Sequence, residues 1–450
     1  MIKIYNSLSN KIEEFKPIIK NNVILYVCGP TVYDYMHIGN SRPVVFFDTV
    51  ARFFKYSGFN VTFVSNFTDI DDKIINRAKE KNISEEELSQ KFIKEINKTY
   101  KKLNCLQHDA NPTVSENIDN IINFIDLLVK KDNAYVINGD VYFDVAKIKE
   151  YGILSGQSIE KLIVGSRIEK NLNKKNPVDF TLWKATTEGI NWDSPWGKGR
   201  PGWHTECVVM SRNISGGLID IHGGGSDLKF PHHDNEIAQS IAAYNNKIAN
   251  YWMHNGRIDF SGEKMSKSLG NVIWANETID KVGYQAYRFL MLNVPYRQPL
   301  SFREDLLEQA VIDFEKINRA FISLFRKLEF EYNDVNIKEV KELELLEIKK
   351  EFIAAMEDDF NTPNAITSVF KLIKITNKLL RNKNISKDLL KEIYCLFSEF
   401  LWVLGMEIKI NKLTTDEMKL VQSWKQARSN KDFTKADNLR DEITKKGIFI

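Results

Sequence analysis

The order of apolar and polar residues near the N-terminus predicts a strand, a helix and a second strand. Residues 23–27 form an apolar run of the kind found in buried strands, and this run ends at Cys28. Residues 42–43 are expected to open a helix, whose apolar side chains recur at helical spacing in Phe47, Val50, Ala51 and Phe54. Residues 61–65 again have the pattern of a strand. In such a β–α–β unit, ligands bind at the carboxyl ends of the parallel strands.

The pattern changes twice further along the chain. Residues 120–200 are mixed and rich in turns, which indicates an insertion into the α/β domain. After residue 305 glycine is sparse, and amphipathic helices are predicted at 304–328, 342–357, 362–381 and 386–405. The fold predicted from these patterns is α/β: a Rossmann-like parallel-sheet domain with an insertion, then an α-helical bundle and a small C-terminal domain. The predicted domains are 1–120 with 200–248 (α/β), 121–199 (insertion), 249–304 (connecting region), 305–405 (bundle) and 406–450 (C-terminal).

Composition narrows the class of protein without naming a function. A chain of 450 residues is expected to hold about three domains, and 27% charged residues is ordinary for a globular protein. The net charge of only +3 excludes a strongly basic surface overall, although residues 411–450 hold nine Lys and Arg against six Asp and Glu. The absence of a ~20-residue apolar stretch or a signal-like N-terminus, with four dispersed cysteines, predicts a cytoplasmic protein with free thiols and no membrane partner.

Two short motifs are suited to binding phosphate. His37, Gly39 and Asn40 lie between the first strand and the helix, where unpaired backbone N–H groups favour an anion. Lys264 and Lys267 lie in a glycine-flanked run whose two ammonium groups suit a polyphosphate. Taken singly, the first motif is also compatible with a turn histidine and the second with a solvated Lys/Ser turn. Together they resemble the two-part ATP signature of the class I aminoacyl-tRNA synthetases.

A group of metal-binding residue types stands out in the middle of the chain. Five of the seven histidines lie between positions 204 and 254. His232 and Glu236 are spaced i, i+4 after Pro231, so they share one face of a predicted helix. Cys28 and Cys207 could complete a set of two sulfurs, one nitrogen and one oxygen. Spacing alone does not establish this site, because two buried cysteines and a surface His/Glu pair would give the same pattern.

Longer runs resemble the cysteinyl-tRNA synthetase family over nearly the whole chain. They are residues 26–34, 68–73, 202–204, 222–228, 231–236, 358–363 and 436–443. The resemblance implies zinc ligands at Cys28, Cys207, His232 and Glu236, and an ATP-loop lysine at Lys267. It also implies contacts to bound cysteine and adenylate from Gly29, Thr68, Trp203, His222 and Asp227. Asn40 departs from the class pattern, which has a second histidine there, although its amide still donates a hydrogen bond. The ending at 447–450 is shorter than the family's usual tail, which puts the last RNA contacts in doubt.

The function implied by this resemblance is ATP-dependent ligation of L-cysteine to tRNA(Cys) through a cysteinyl-adenylate, releasing AMP and pyrophosphate. Its partners would be ATP with Mg²⁺, L-cysteine and tRNA(Cys), and the enzyme would act as a monomer with one Zn²⁺ per chain. The connecting region would contact the tRNA stem, and the C-terminal domain would bind the anticodon, with Trp424, Arg428 and Lys431 as candidates. For these three, an equally good interpretation is a core tryptophan beside a solvated charged face.

Zinc suits the choice of cysteine over serine. A discrimination of ~10⁴ needs about 5.5 kcal/mol, whereas small shape differences in an apolar pocket supply only ~1–3 kcal/mol. Zinc prefers thiolate ligands and accepts a fifth ligand, so we hypothesise that the substrate sulfur binds it directly.

Two other functions share parts of these motifs. The cysteine ligase of mycothiol biosynthesis resembles the same catalytic domain, but residues 405–450 argue against it, because a sugar ligase needs no anticodon-binding module. A zinc-dependent RNA-binding protein without catalysis would not require the ATP motifs at 37–39 and 264–268.

Overall fold

The computed structural model describes residues 1–160, 174–260, 263–264, 272–332, 340–382 and 386–448. The chain divides into two compact units. The first comprises Met1–Lys281, Tyr296–Phe302 and Asp358–Phe360, and the second comprises Val282–Pro295, Arg303–Glu357 and Asn361–Ile450. Within the described residues, no helix combines the length and apolar character needed to cross a membrane.

The first unit contains all of the strands described and the helices of the N-terminal half. In chain order its elements are β1 (Lys3–Asn6), β2 (Lys11–Glu14), β3 (Asn22–Val27), α1 (Ile38–Tyr56), β4 (Asn60–Ser65), α2 (Asp72–Lys81), α3 (Glu85–Lys102), α4 (Ile118–Lys130), β5 (Ala134–Ile137), β6 (Asp140–Phe143), β7 (Phe180–Ala185), β8 (Gly199–Pro201), α5 (Glu206–Ser215), β9 (Ile219–Gly225), α6 (Asp234–Tyr244), β10 (Ala249–Asn255), β11 (Ile258–Phe260), β12 (Glu263–Lys264), α7 (Ala275–Val282) and β13 (Leu300–Phe302).

A parallel four-stranded sheet in the order β10-β9-β3-β4 forms the centre of this unit. Its register pairs Tyr26 of β3 with Val64 of β4 on one side and with His222 of β9 on the other. Strand β3 is a nearly continuous apolar run from Val23 to Val27, as expected where both faces of a parallel sheet are covered. Helix α1 packs so closely on β9 that a Cβ on Gly223 would lie 2.4 Å from the Phe47 ring. The predicted β–α–β unit is therefore confirmed.

Helix α1 begins earlier than the sequence pattern indicated. It starts at Ile38, not at residues 42–43, and Pro43 lies inside it. The side chain of His37 accepts a hydrogen bond from the backbone N–H of Asn40 and so caps the helix. The expected start was wrong because Pro43 was interpreted as a first-turn proline, while a histidine is an uncommon N-cap.

The expected insertion contains a separate antiparallel sheet with the order β5-β6-β7-β8. Trp183 of β7 is fully buried in the core beneath it. The α/β domain was predicted to continue from residue 200, but the central sheet resumes only with β9 at Ile219, after helix α5. Helix α5 supplies Cys207 to this sheet's edge, so the intervening segment positions a candidate ligand.

Every regular element in the described part of the second unit is a helix. Its elements are α8 (Tyr284–Leu292), α9 (Glu304–Tyr332), α10 (Leu343–Glu357), α11 (Thr362–Leu380), α12 (Lys387–Val403), α13 (Thr415–Ser429) and α14 (Phe433–Lys445). The four amphipathic helices predicted between 304 and 405 correspond to α9–α12 within a few residues. Helix α11 starts where Asn361 accepts a bond from the N–H of Asn364 and proline occupies the first turn. Helices α13 and α14 share a small core of Val421, Ile443 and Ile448.

Candidate active site

A cavity of about 470 Å³ opens at the carboxyl ends of the central strands. Cys28 and Gly29 follow β3, and Asp227 follows β9. The amino end of α1 contributes His37, Gly39 and Asn40 to the lining, and Trp203 closes another part of the wall. This is the position at which an α/β sheet of this topology binds ligands. The structure therefore brings together residues from sequence segments about 200 positions apart.

Four side chains converge on one point beside this cavity. The Sγ atoms of Cys28 and Cys207 are 3.6 Å apart, and the Sγ of Cys207 is 3.6 Å from Nε2 of His232. Oε1 of Glu236 lies 3.7 Å from the Cys28 sulfur and 2.8 Å from His232 Nε2. One ligand atom from each of the four lies within 4.8 Å of every other. The predicted donor set is thus assembled in space, although no single stretch of sequence contains it.

The separations that involve sulfur fit a tetrahedral zinc site. Zinc–sulfur bonds of ~2.3 Å and zinc–nitrogen or zinc–oxygen bonds of ~2.0–2.1 Å imply edges of about 3.8 Å between two sulfurs and about 3.5 Å between sulfur and nitrogen or oxygen. The three measured edges that involve sulfur are 3.6, 3.6 and 3.7 Å. The nitrogen–oxygen edge of 2.8 Å is a hydrogen-bond length and is shorter than the about 3.3 Å of a tetrahedral zinc site. Two thiols, an imidazole and a carboxylate form a donor set that zinc binds well.

The electrostatics of the cluster favour a positive charge at its centre. Burial alone would raise the pKa of Glu236, but His222 and His232 hold it well below its usual range. Burial alone would lower the pKa of His232, but the Glu236 carboxylate and the Cys207 thiol raise it to about 10. The hydrogen bond between the two thiols lowers the pKa of Cys207 to about 6, while burial raises that of Cys28. Glu236 and Cys207 are therefore the anionic members of the group at neutral pH, and His232 carries a proton between them.

A second set of donors overlaps the first. Cys28 and Glu236 also lie close to His222 and His233, and the Sγ of Cys28 is 3.3 Å from Nε2 of His233. Nε2 of His222 is 2.7 Å from Oε2 of Glu236, so this fully buried imidazole holds the carboxylate from behind. His233 is in turn hydrogen-bonded through Nδ1 to His254. His222, expected beside the substrate, lies behind the donor set and outside the cavity lining.

The residues of the predicted phosphate motif lie together at the amino end of α1. Because the Asn40 N–H donates to Nδ1 of His37 at 3.3 Å, the ring proton sits on Nε2, which can donate to a phosphate oxygen. Gly39 is needed for this arrangement, since a Cβ there would lie 2.9 Å from the His37 ring. The side chain of Asn40 is exposed and lines the cavity.

The other residues expected near the substrate fall into two groups. Gly29, Trp203 and Asp227 line the cavity, and Trp203 stacks on the His232 ring with centroids 4.4 Å apart. A Cβ on Gly29 would lie 1.6 Å from the backbone oxygen of Asn66, so this position needs glycine. Thr68 is buried and donates to Glu206 at 2.8 Å, and so it supports the wall beneath Cys207.

Some of the predicted residues lie elsewhere. Lys264 forms part of β12, and Lys267 lies outside the described residues. On α13, Trp424 packs partly buried against the small core, and the Arg428 guanidinium lies 5.0 Å from the centre of its ring. Lys431 is exposed just beyond this helix. Trp424 thus combines a core contact with partial exposure.

Several residues at the site were not singled out from the sequence. Asn66 accepts the Gly29 N–H at 2.9 Å, and Lys73 and His108 line the cavity. His233 directly follows the predicted ligand His232 and is spaced i, i+3 from Glu236. This helical spacing could have identified it as a further candidate ligand. Lys73 ends one of the family-like runs, whereas no local pattern marked Asn66 or His108.

Comparison with known proteins agrees with this architecture. The family described as "tRNA synthetases class I (C) catalytic domain" matches residues 14–312, and the "DALR domain" matches residues 351–409. The solved methionyl-tRNA synthetase of Mycobacterium tuberculosis, in complex with methionyl-adenylate, superposes with a TM-score of 0.59 at 13% identity, covering 85% of this chain and 89% of that one. The LeuRS of Agrobacterium radiobacter K84, in a ternary complex with tRNA and LeuAMS, gives 0.60 at 12% identity, covering 87% and 85%. The fold is that of a class I aminoacyl-tRNA synthetase, the class to which the catalytic-domain family also belongs.

Full-length relatives define the family more narrowly. The cysteine–tRNA ligase of Exiguobacterium sibiricum is 46% identical over 453 residues, which cover 100% of this chain and 97% of the relative. That of Geobacillus thermodenitrificans is 45% identical over 451 residues, with the same coverage of both chains. The chain therefore belongs to the cysteine–tRNA ligase family.

Proposed function

We propose that this chain ligates L-cysteine to tRNA(Cys) with ATP, through a cysteinyl-adenylate, and releases AMP and pyrophosphate. The observation that carries the proposal is a cavity lined both by Cys28 of the donor set and by the residues of the phosphate motif. A buried set of two thiols, an imidazole and a carboxylate adjoins the His37–Asn40 phosphate motif. Family membership, with relatives named as cysteine–tRNA ligases, supports the same reaction.

The donor set would hold one zinc ion through Cys28, Cys207, His232 and Glu236. A bound zinc ion would supply a soft Lewis acid that ligates a thiolate far better than the hydroxyl of serine. Trp203 stacks on His232 and restricts the space beside it, so the amino acid would be confined between this indole and the loop at Gly29. The alternative set through His222 and His233 offers one thiol instead of two, so it is less favourable for zinc, which prefers thiolate ligands.

In the first step, the cysteine carboxylate would attack the α-phosphorus of ATP. Nε2–H of His37 and the amide of Asn40 would donate to phosphate oxygens, and the backbone N–H groups at the start of α1 would add a partial positive charge. Lys264 and Lys267 would neutralise the pyrophosphate, which leaves with Mg²⁺. In the second step a terminal ribose hydroxyl of the tRNA would attack the adenylate carbonyl. The C-terminal segment with Trp424, Arg428 and Lys431 would contact the tRNA further from the reaction centre.

The test is ATP–pyrophosphate exchange with cysteine and serine in parallel, followed by charging of tRNA(Cys). We expect exchange that depends on cysteine, with serine at least about 10⁴-fold less effective, equivalent to about 5.5 kcal/mol. Comparable exchange with serine, or no exchange with cysteine, would refute the proposal. Charging of an amino sugar instead of tRNA would assign the chain to the other cysteine-ligating class.

A further inference from the structure

The side chain of Asn66 lies in the buried wall between the two cysteines of the donor set. Asn66 is 1% exposed and directly follows β4, the strand that pairs with β3. Its Oδ1 accepts the Gly29 N–H at 2.9 Å and lies 3.9 Å from Sγ of Cys207. Asn66 belongs neither to the four donors nor to the lining of the main cavity, so it would act through the residues that it holds.

The hydrogen bonds around Asn66 form a chain with one direction of donation. A backbone N–H can only donate, so the Asn66 atom that faces Gly29 is the amide oxygen. The amide nitrogen then donates to Oγ1 of Thr68 at 3.4 Å, and the Thr68 hydroxyl donates its one proton to Oε1 of Glu206 at 2.8 Å. Glu206 is the first residue of α5 and directly precedes Cys207. The chain of bonds therefore joins the loop of one thiol to the helix that carries the other.

The backbone on either side of Cys28 is held by a different strand. The Cys28 N–H donates to the carbonyl of Gly223 in β9 at 3.0 Å. The next N–H along the chain, that of Gly29, donates to Asn66 just beyond β4. These two bonds fix the peptide groups before and after Cys28, and so they restrict where its Sγ can lie. Without the Asn66 oxygen, only the first of these two bonds would remain.

The loops that follow β3 and β4 are also paired through their backbones. The N–H of Val32 donates to the carbonyl of Thr68 at 3.1 Å, and the N–H of Thr68 donates to Pro30 at 3.2 Å. These bonds lie beyond Cys28 along the chain and do not reach Cys207. They provide the fixed frame from which the Asn66 side chain extends toward both thiols.

We propose that Asn66 is a positioning residue that holds Cys28 and Cys207 at the separation that a metal ion requires. This inference rests on the proposed function, because that function assigns the donor set to zinc. The two sulfurs are 3.6 Å apart, close to the edge of about 3.8 Å between two zinc-bound sulfurs. Zinc would then bind with little rearrangement of the loop and the helix, and its affinity would depend on a side chain that is not a ligand.

The experiment measures the zinc affinity of the full-length protein by competition with a chromophoric chelator. Asn66→Ala removes both hydrogen bonds and should weaken zinc affinity roughly 10- to 100-fold, the usual effect of losing an outer contact. Asn111→Ala is the matched control, because Nδ2 of this half-buried asparagine donates to the backbone oxygen of Ser65, one residue before Asn66, at 2.6 Å. This control removes a comparable bond at the end of β4 and should keep the wild-type zinc affinity. An equal loss in both variants, or no loss in Asn66→Ala, would overturn the inference.

A second pair of variants tests the link to Cys207 without changing Asn66. Thr68→Val keeps nearly the same shape but lacks the hydroxyl that connects Asn66 to Glu206, whereas Thr68→Ser keeps the hydroxyl. We expect Thr68→Val to weaken zinc affinity by less than Asn66→Ala, since the Gly29 bond remains, and Thr68→Ser to restore it. Equal zinc affinities in the two Thr68 variants would overturn the link to Cys207, even if Asn66→Ala does not fold. The proposed function fails separately, if the wild type shows no cysteine-dependent pyrophosphate exchange.

Discussion

The donor cluster around Glu236 and the C-terminal helix pair α13–α14 hold their candidate side chains in opposite ways. In the cluster, Glu236 is fully buried, with one oxygen against His222 and the other against His232. On α13, Arg428 is exposed and Trp424 is only half-buried on a small core. The cluster is preorganised by burial, so its chemistry is evident from its geometry. The helix pair offers a charged, exposed face whose function depends on a partner.

The largest effect is expected at the cluster itself. Replacing a donor leaves the remaining thiol, imidazole or carboxylate groups without a complete ligand set, and Cys207→Ser should abolish zinc retention. We expect cysteine-dependent exchange to fall by about 10³-fold or more, equivalent to about 4 kcal/mol. Zinc content by plasma mass spectrometry and the exchange rate check both points.

Cys105→Ser, at a half-buried cysteine outside the donor set, is the control. It should keep the zinc content and the exchange rate of the wild type. Full zinc content in Cys207→Ser would show that the cluster is not the metal site.

The next effect concerns how tightly the loop is held at Gly29. Gly29→Ala places a Cβ 1.6 Å from the Asn66 backbone oxygen, so the junction of β3 and β4 must shift. We expect a loss of about 2–4 kcal/mol in the free energy of unfolding. Chemical denaturation followed by circular dichroism measures it.

Gly217→Ala is the matched control, because nothing lies within 4 Å of its added Cβ. If Gly29→Ala leaves the free energy of unfolding unchanged, the loop at Gly29 is held less rigidly than the buried donor cluster indicates.

Replacing His222, which lies behind the donor cluster, should have an intermediate effect on zinc affinity. His222→Asn removes the hydrogen bond to Oε2 of Glu236 but leaves the four donors in place. Loss of such an outer contact usually weakens metal affinity 10- to 100-fold. Competition with a chromophoric zinc chelator measures this affinity. A loss as large as that of Cys207→Ser would make His222 a direct ligand, as in the overlapping donor set.

Burial in the cavity wall also predicts a pH dependence. Burial lowers the pKa of His108 below its ordinary value of 6.5. The unfolded chain then binds a proton at His108 more readily than the folded chain does. The free energy of unfolding therefore has its full value above about pH 6.5 and decreases as the pH falls below it. The loss is at most about 1.4 kcal/mol per pH unit. Urea denaturation at pH 7.5 and 5.5 should show a smaller pH difference in His108→Gln, and an unchanged difference would contradict this.

The smallest effect is expected on the exposed face near α13. Lys431→Ala should weaken tRNA binding only a few-fold and reduce the slope of log K against log salt by about one, as for a single lost phosphate contact. Lys20→Ala, an exposed lysine of the first unit, is the control. An unchanged salt slope would favour the interpretation of this face as solvated charge.

Much of the fold was predictable, because the buried faces of strands and helices require apolar residues at regular spacing along the sequence. The strand before Cys28 and the helices α9–α12 follow directly from apolar spacing. The start of α1 was not predicted, since His37 caps it through a side-chain bond that has no sequence period. Cys28, Cys207 and His232 meet only through the topology of the sheet, so family resemblance, not spacing, identified them. Asn66 acts through a contact to the Gly29 N–H that no local pattern encodes.

Zinc-edge X-ray absorption, with and without saturating cysteine, tests most directly whether the donor cluster selects the amino acid through its sulfur. The free enzyme should show two sulfur neighbours, from Cys28 and Cys207, and the cysteine complex should show three. Serine should leave the count at two. A sulfur count that stays at two when cysteine is bound would contradict the account.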